Sequence, residues 1–137
     1  AGRTPDRADF KICRAIFLAD TTKEAVDKAR NNSMGENFDY TARVPDKGLG
    51  RDIYKRDESM SDAEIDMDYF MKELIIAGDV DEVLRRLLEM VEETGPFGTL
   101  ISMGYDWDDR ESWIRNNELF ANELMPALNK AVGAEVA

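Results

Sequence analysis

Residues 73–104, ELIIAGDVDEVLRRLLEMVEETGPFGTLISMG, decide the fold. Glu73 to Ala77 is a brief apolar run stopped by Gly78, and Asp79-Val80-Asp81-Glu82 then places acids where the dipole of a starting helix favours them. Val83, Leu87, Met90 and Val91 recur at steps of three and four, while Arg85, Arg86, Glu89, Glu92 and Glu93 take the opposite side. That pattern predicts an amphipathic helix with one face for a sheet. Gly95-Pro96 ends it, because glycine tolerates the left-handed cap and proline cannot extend a helix. Phe97 to Gly104 reads as the next strand. Two strands joined through a single helix are expected to be parallel, with a right-handed crossover.

Upstream, Phe10 to Ala19 (FKICRAIFLA) is rich in β-favoured apolar types and predicts a further strand. Thr21 and Glu24 have capping-box spacing, so a helix is expected from about Thr22 to Asn31. Residues 32–60 mix Gly35, Pro45, Gly48 and Gly50 with charges, and read as a long irregular insertion in which Phe38, Tyr40, Ile53 and Tyr54 argue for partial packing. Ser61 and Glu64 form a second capping box, expected to open a short helix carrying Ile65, Tyr69 and Phe70. Downstream, Trp113, Leu119, Phe120, Leu124, Met125 and Leu128 predict a long helix interrupted at Pro126, and the final VGAEVA reads as frayed.

Composition narrows the function. The 29 acidic against 18 basic residues give a net charge of −11, which repels nucleic acid and anionic lipid. No window approaches the ~18 apolar residues of a membrane span. The chain has no histidine and one cysteine, Cys13, so a Ser-His-Asp triad, a His-based zinc site and an internal disulfide are all excluded. A reducing, cytoplasmic setting is the expectation.

Strand, helix, insertion, strand, helix, strand, helix is a βαβ rhythm over one domain, 1–137, of α/β class. Three parallel strands would leave both outer edges unpaired, so something is expected to complete the sheet. The chain accordingly reads as the C-terminal portion of a (β/α)8 TIM barrel, a fold that usually needs ~250 residues. A small free-standing three-stranded α/β domain is the competing architecture.

The stretch Glu93 to Leu100 (ETGPFGTL), continuing through Gly104-Tyr105-Asp106-Trp107-Asp108-Asp109, resembles the last barrel strand of the bacterial-luciferase-like, flavin-dependent monooxygenases. Ala77 to Val83 is similar to their glycine turn after the seventh strand, Phe10 to Glu24 to their sixth strand and its turn, and Glu118 to Pro126 to their closing helix. The chain departs from the family at Asp79-Val80, where Ser-Pro is frequent, and at Tyr105, where histidine is frequent. The resemblance implies an enzyme that binds reduced FMN supplied by a reductase and inserts one oxygen of O₂ into a small organic substrate. It also implies that the main phosphate contacts lie on earlier strands, so tight FMN binding by this segment alone is not expected. The implied partners are an N-terminal barrel portion, or a second copy of the chain. A deazaflavin-dependent oxidoreductase of related fold and a non-catalytic half-barrel interaction module are the alternatives.

Barrel chemistry sits at the C-terminal strand ends, which selects Gly78, Met103, Tyr105, Asp106 and Trp107 as pocket candidates. Tyr105 and Trp107 offer a hydroxyl and a flat indole to a flavin or substrate, or alternatively seal a core. Asp106 and Asp108 suit helix caps, and Gly78 suits a turn better than a phosphate cradle, since Asp79 beside it would repel an anion.

Overall fold

The alternation of apolar runs with capped helices produces a sheet clad on both faces. In the computed structural model, which describes residues 2, 4, 6–43 and 51–133, the strands are β1 (Lys11–Leu18), β2 (Ile75–Gly78) and β3 (Thr99–Ser102). All three are parallel, as the crossover argument requires. Pro45, Gly48 and Gly50, and the end of the expected frayed tail from Ala134, lie outside the described residues.

The strand order is β2-β1-β3. β1 therefore lies between the two strands of the strand–helix–strand unit, which corrects the order implied by the resemblance, sixth strand, seventh strand, last strand: β2 does not stand between β1 and β3. β1 pairs through Ala15–Leu18 with Ile75–Gly78, and through Lys11–Arg14 with Thr99–Ser102. In a parallel ladder the N–H and C=O of one residue point to the same side, and the next residue points to the other. Ala19 N–H donates to Gly78 C=O, whereas Phe10 and Arg14 carbonyls accept from Gly98, Thr99 and Met103, so β2 and β3 sit on opposite flanks. On the β2 flank the lower half of β1, at Lys11 and Cys13, has no paired strand among the described residues. On the β3 flank β1 outlasts its partner, and there the buried side chain of Asn116 substitutes for a strand: its Oδ1 accepts from Leu18 N–H at 2.8 Å.

Side chains alternate across the pleat. Ala15, Phe17, Ala19, Ile75 and Ala77 pack against α1 (Thr22–Asn31), α2 (Ser33–Arg43), α3 (Met67–Glu73) and Trp113. Ile16, Leu18 and Ile76 pack against α4 (Val80–Thr94) and the C-terminal helical run. β3 is shorter than the expected Phe97–Gly104, and just before it Gly98 runs against the backbone of Ala8, where a Cβ would come within 1.8 Å of the carbonyl oxygen.

Three expectations are corrected. Residues 32–60 are not simply irregular: α2 fills 33–43 and a 3₁₀ turn fills Arg51–Tyr54. Met34, Phe38 and Ala42, spaced by four, bury one face of α2 against the core. The Ser61 capping box closes only a 3₁₀ turn, Asp62–Glu64, and α3 starts afresh with Asp66 as its cap. The break near Pro126 is a π-helical segment, Phe120–Leu124, between α5 (Arg110–Leu119) and α6 (Met125–Val132). Pro126 has no N–H for an i→i−4 bond, and the widened turn, with Met125 N–H reaching Phe120 C=O, accommodates it.

Candidate functional site

A cleft of about 310 Å³ opens beside the lower half of β1, between α2, the Arg51–Tyr54 turn and the segment after β3. Its walls include Cys13, Phe38, Ile53, Tyr54, Met103 and Tyr105. Two of the five pocket candidates thus meet here. β3 carries Met103 to its C-terminal end, and the chain turns to fold Tyr105 back onto the core. The Tyr105 ring stacks on Trp113 with centroids 6.3 Å apart, and Trp113 meets Phe17 edge-on at 5.0 Å. Trp113 is held in turn by its Nε1–H, which donates to Asp108 at 3.3 Å.

Tyr105 is half-buried, and burial pushes its phenol up to about 12, with Cys13 and then Tyr54 adding to the shift. It remains a hydrogen-bond donor through the neutral range. Its hydroxyl points to Met103 Sδ at 3.8 Å, a weak acceptor.

The other candidates stand elsewhere. Trp107 is 50% exposed and does not line the cleft. Asp106 does not cap α5: its carbonyl accepts from Ser33 Oγ at 2.6 Å, and the cap is Asp109, which accepts from Ser112 N–H. Asp108 caps a different helix, taking the Ser33 N–H at the start of α2 at 2.9 Å. Gly78 belongs to packing, since a Cβ there would come within 2.8 Å of the Glu82 side chain. Asp79 next to it accepts from Glu82 N–H at 3.0 Å and Thr22 Oγ1 at 2.8 Å, and these bonds hold its carboxyl below the ordinary range.

Sequence reasoning missed Cys13, Phe38, Ile53 and Tyr54 as lining residues, because three of them fall in the segment read as irregular. The four-residue spacing of Met34, Phe38 and Ala42 was the available signal.

The residues fit one part of FMN and not another. Aromatic, thioether and phenol groups suit the face and edge of a flat ring. Among the described residues no helix start offers a phosphate such a place: α1, α3, α4 and α5 start on the side chains of Thr21, Asp66, Asp79 and Asp109, and α2 on Asp108. Each of those helix starts already holds an oxygen, mostly an anionic one, where a phosphate would sit. Among the described residues no group of three or more acidic or cysteine side chains is placed to hold a metal ion.

No family model matches the chain. It is 28% identical over 130 residues to 3,6-diketocamphane 1,6-monooxygenase of Pseudomonas putida, covering 93% of this chain and 34% of that protein. It is 30% identical to 4-hydroxyprotoasukamycin monooxygenase of Streptomyces nodosus subsp. asukaensis, covering 99% of this chain and 35% of that protein. The structure superposes on the oxygenating constituent of 3,6-diketocamphane monooxygenase from Pseudomonas putida, a type II Baeyer-Villiger monooxygenase in complex with FMN. The TM-score is 0.78, with 28% identity, over 91% of this chain and 35% of that one. These relatives are monooxygenases, one of them solved in complex with FMN, and the chain spans about a third of their length.

Proposed function

We propose that this chain is the C-terminal part of an FMN-dependent, luciferase-like monooxygenase of (β/α)8 fold, and that it forms one wall of the flavin and substrate pocket. The observation that carries the reading is the superposition, at TM-score 0.78, of nearly the whole chain on about a third of an FMN-bound monooxygenase. The open sheet supports it. β1 and β3 act as neighbouring wall strands, with β2 a short strand against the upper half of β1. The unpaired flank at Lys11 and Cys13 and the outer edge of β3 receive the remaining barrel strands. Backbone groups at such edges need partners once water is excluded.

In this reading reduced FMN, supplied by a reductase and seated by its phosphate on the complementary part, provides the activation of O₂. Met103 and Tyr105 border the reacting space, exclude water from it and present one donor. Asp106 and Trp107 stand at the same strand end, where the complement reaches them. No helix among the described residues is long and apolar enough to cross a membrane.

The test is to titrate FMN, and separately a deazaflavin, into the chain alone and into the chain mixed with the N-terminal two thirds of the diketocamphane relative, following flavin fluorescence. FMN binding only in the mixture is expected. Association of the two parts without flavin binding would sink the reading in favour of a non-catalytic module, and preference for the deazaflavin would change the cofactor.

A further inference from the structure

The cleft beside β1 has two walls that lie far apart in sequence. α2 supplies Asn37, Phe38 and Thr41, and the segment after β3 supplies Met103 and Tyr105. Reciprocal hydrogen bonds tie the two at one corner. Asp108 Oδ2 accepts from Ser33 N–H, in the first turn of α2, at 2.9 Å, and the Ser33 hydroxyl donates back to the Asp106 carbonyl at 2.6 Å. The other carboxylate oxygen, Oδ1, accepts from Trp113 Nε1–H at 3.3 Å. Trp113 is 3% exposed, and the Tyr105 ring stacks on it. Desolvation raises the Asp108 carboxyl, but the bonds from Trp113 and Ser33 outweigh it and leave the group below the ordinary range, so the acceptor is an anion at neutral pH. Bonds to a charged acceptor are the stronger kind. Asp109, the next residue, caps its own helix through Ser112, whereas Asp108 joins a helix start 75 residues away to an aromatic pair.

We propose that Asp108 is a positioning residue for the cleft: its carboxylate fixes the start of α2 against the Trp113–Tyr105 pair, so that both walls keep one separation and the pocket is preformed. Asp108 does not itself line the cleft and acts through Ser33 and Trp113. This rests on the monooxygenase reading, in which the cleft borders the flavin and substrate space, and adds what holds that border in place. Walls already in position spare a bound flavin the cost of ordering them.

The experiment has one arm without flavin and one with it. In the isotope-labelled full chain, Asp108→Ala is expected to move the NMR signals of the Tyr105 ring and of Phe38 and Thr41 on α2 together. Asp108→Asn, which keeps one acceptor oxygen, should move them less far in the same direction. Asp79→Ala, which removes a cap of the same kind away from the cleft, should leave them in place. Changes confined to Ser33 and Trp113, or equal changes from Asp79→Ala, would overturn the proposal. In the mixture with the N-terminal two thirds of the diketocamphane relative, Asp108→Ala is expected to weaken FMN binding by about 3- to 10-fold, and to add nothing once Tyr105→Ala has removed the ring it steadies. Additive losses would equally overturn it. If the wild-type mixture takes up no flavin, the flavin reading falls, and the signals of the chain alone still decide the role of Asp108.

Discussion

From Ala15 to Leu18, the upper half of β1 is at most 2% exposed at every residue, whereas in the lower half Lys11 and Cys13 lie open. Both halves belong to one strand and both alternate across the same pleat. What differs is the company. The upper half has β2 on one flank and the Asn116 amide on the other, with α1 and Trp113 over one face and α4 over the opposite face. Among the described residues the lower half has β3 alone as a paired strand, and its outward face forms a wall of the cleft. Stability is therefore concentrated in one half of the strand and binding capacity in the other, as expected where functional surfaces draw on the less constrained parts of a fold.

The sharpest way to break this comparison is a pair of truncations. Phe17→Ala removes a fully buried ring that meets Trp113 edge-on and should cost about 3–5 kcal/mol in urea denaturation, while Cys13→Ala should stay within ~0.5 kcal/mol. Similar losses at the two sites would erase the distinction. Asn116→Leu should come next, at about 1–3 kcal/mol, because Leu18 N–H is then buried without an acceptor. Amide exchange at Leu18 should accelerate more than at Ile16, and an unchanged Leu18 rate would show that something else closes that flank.

Asp79→Ala gives the smallest of these effects, about 1 kcal/mol, by removing the cap of α4 behind the upper half. Its bonds to Glu82 N–H and Thr22 lower the folded-state carboxyl relative to the ordinary value of 3.8, so the contribution is present above that pH and lost as pH falls through the lower folded value. Wild type and variant should differ at pH 7 and converge on acidification. A gap that persists below the carboxylate range would mean that the charge is not what stabilises the cap.

Much of the fold was legible in local chemistry. The Thr21 and Asp79 caps, the Gly95 stop and the amphipathic period of α4 name their elements unaided, because each satisfies its own backbone groups within a few residues. The site was half legible. Met103 and Tyr105 follow from their place at a strand end, but Phe38, Ile53 and Tyr54 are brought to them by a helix and a turn hidden in a segment with glycines and many charges. The Asp106–Asp109 run shows the limit plainly. Any of these acids suits a cap by type, and only the path of the chain assigns Asp109 to α5 and Asp108 to α2.

By itself the sequence determined the α/β class, the parallel direction of the strands and the starts of α1 and α4, since those depend on hydrophobic period and on hydrogen bonds made within one turn. Tertiary structure alone decided that β1 lies between β2 and β3, that Asn116 takes the Leu18 N–H where β3 has ended, and that Tyr105 and Met103 share one cleft with Phe38 and Tyr54. The physical reason is separation along the chain: Leu18 and Asn116 meet across 98 residues, and no local propensity encodes which distant groups will share a pleat or a pocket.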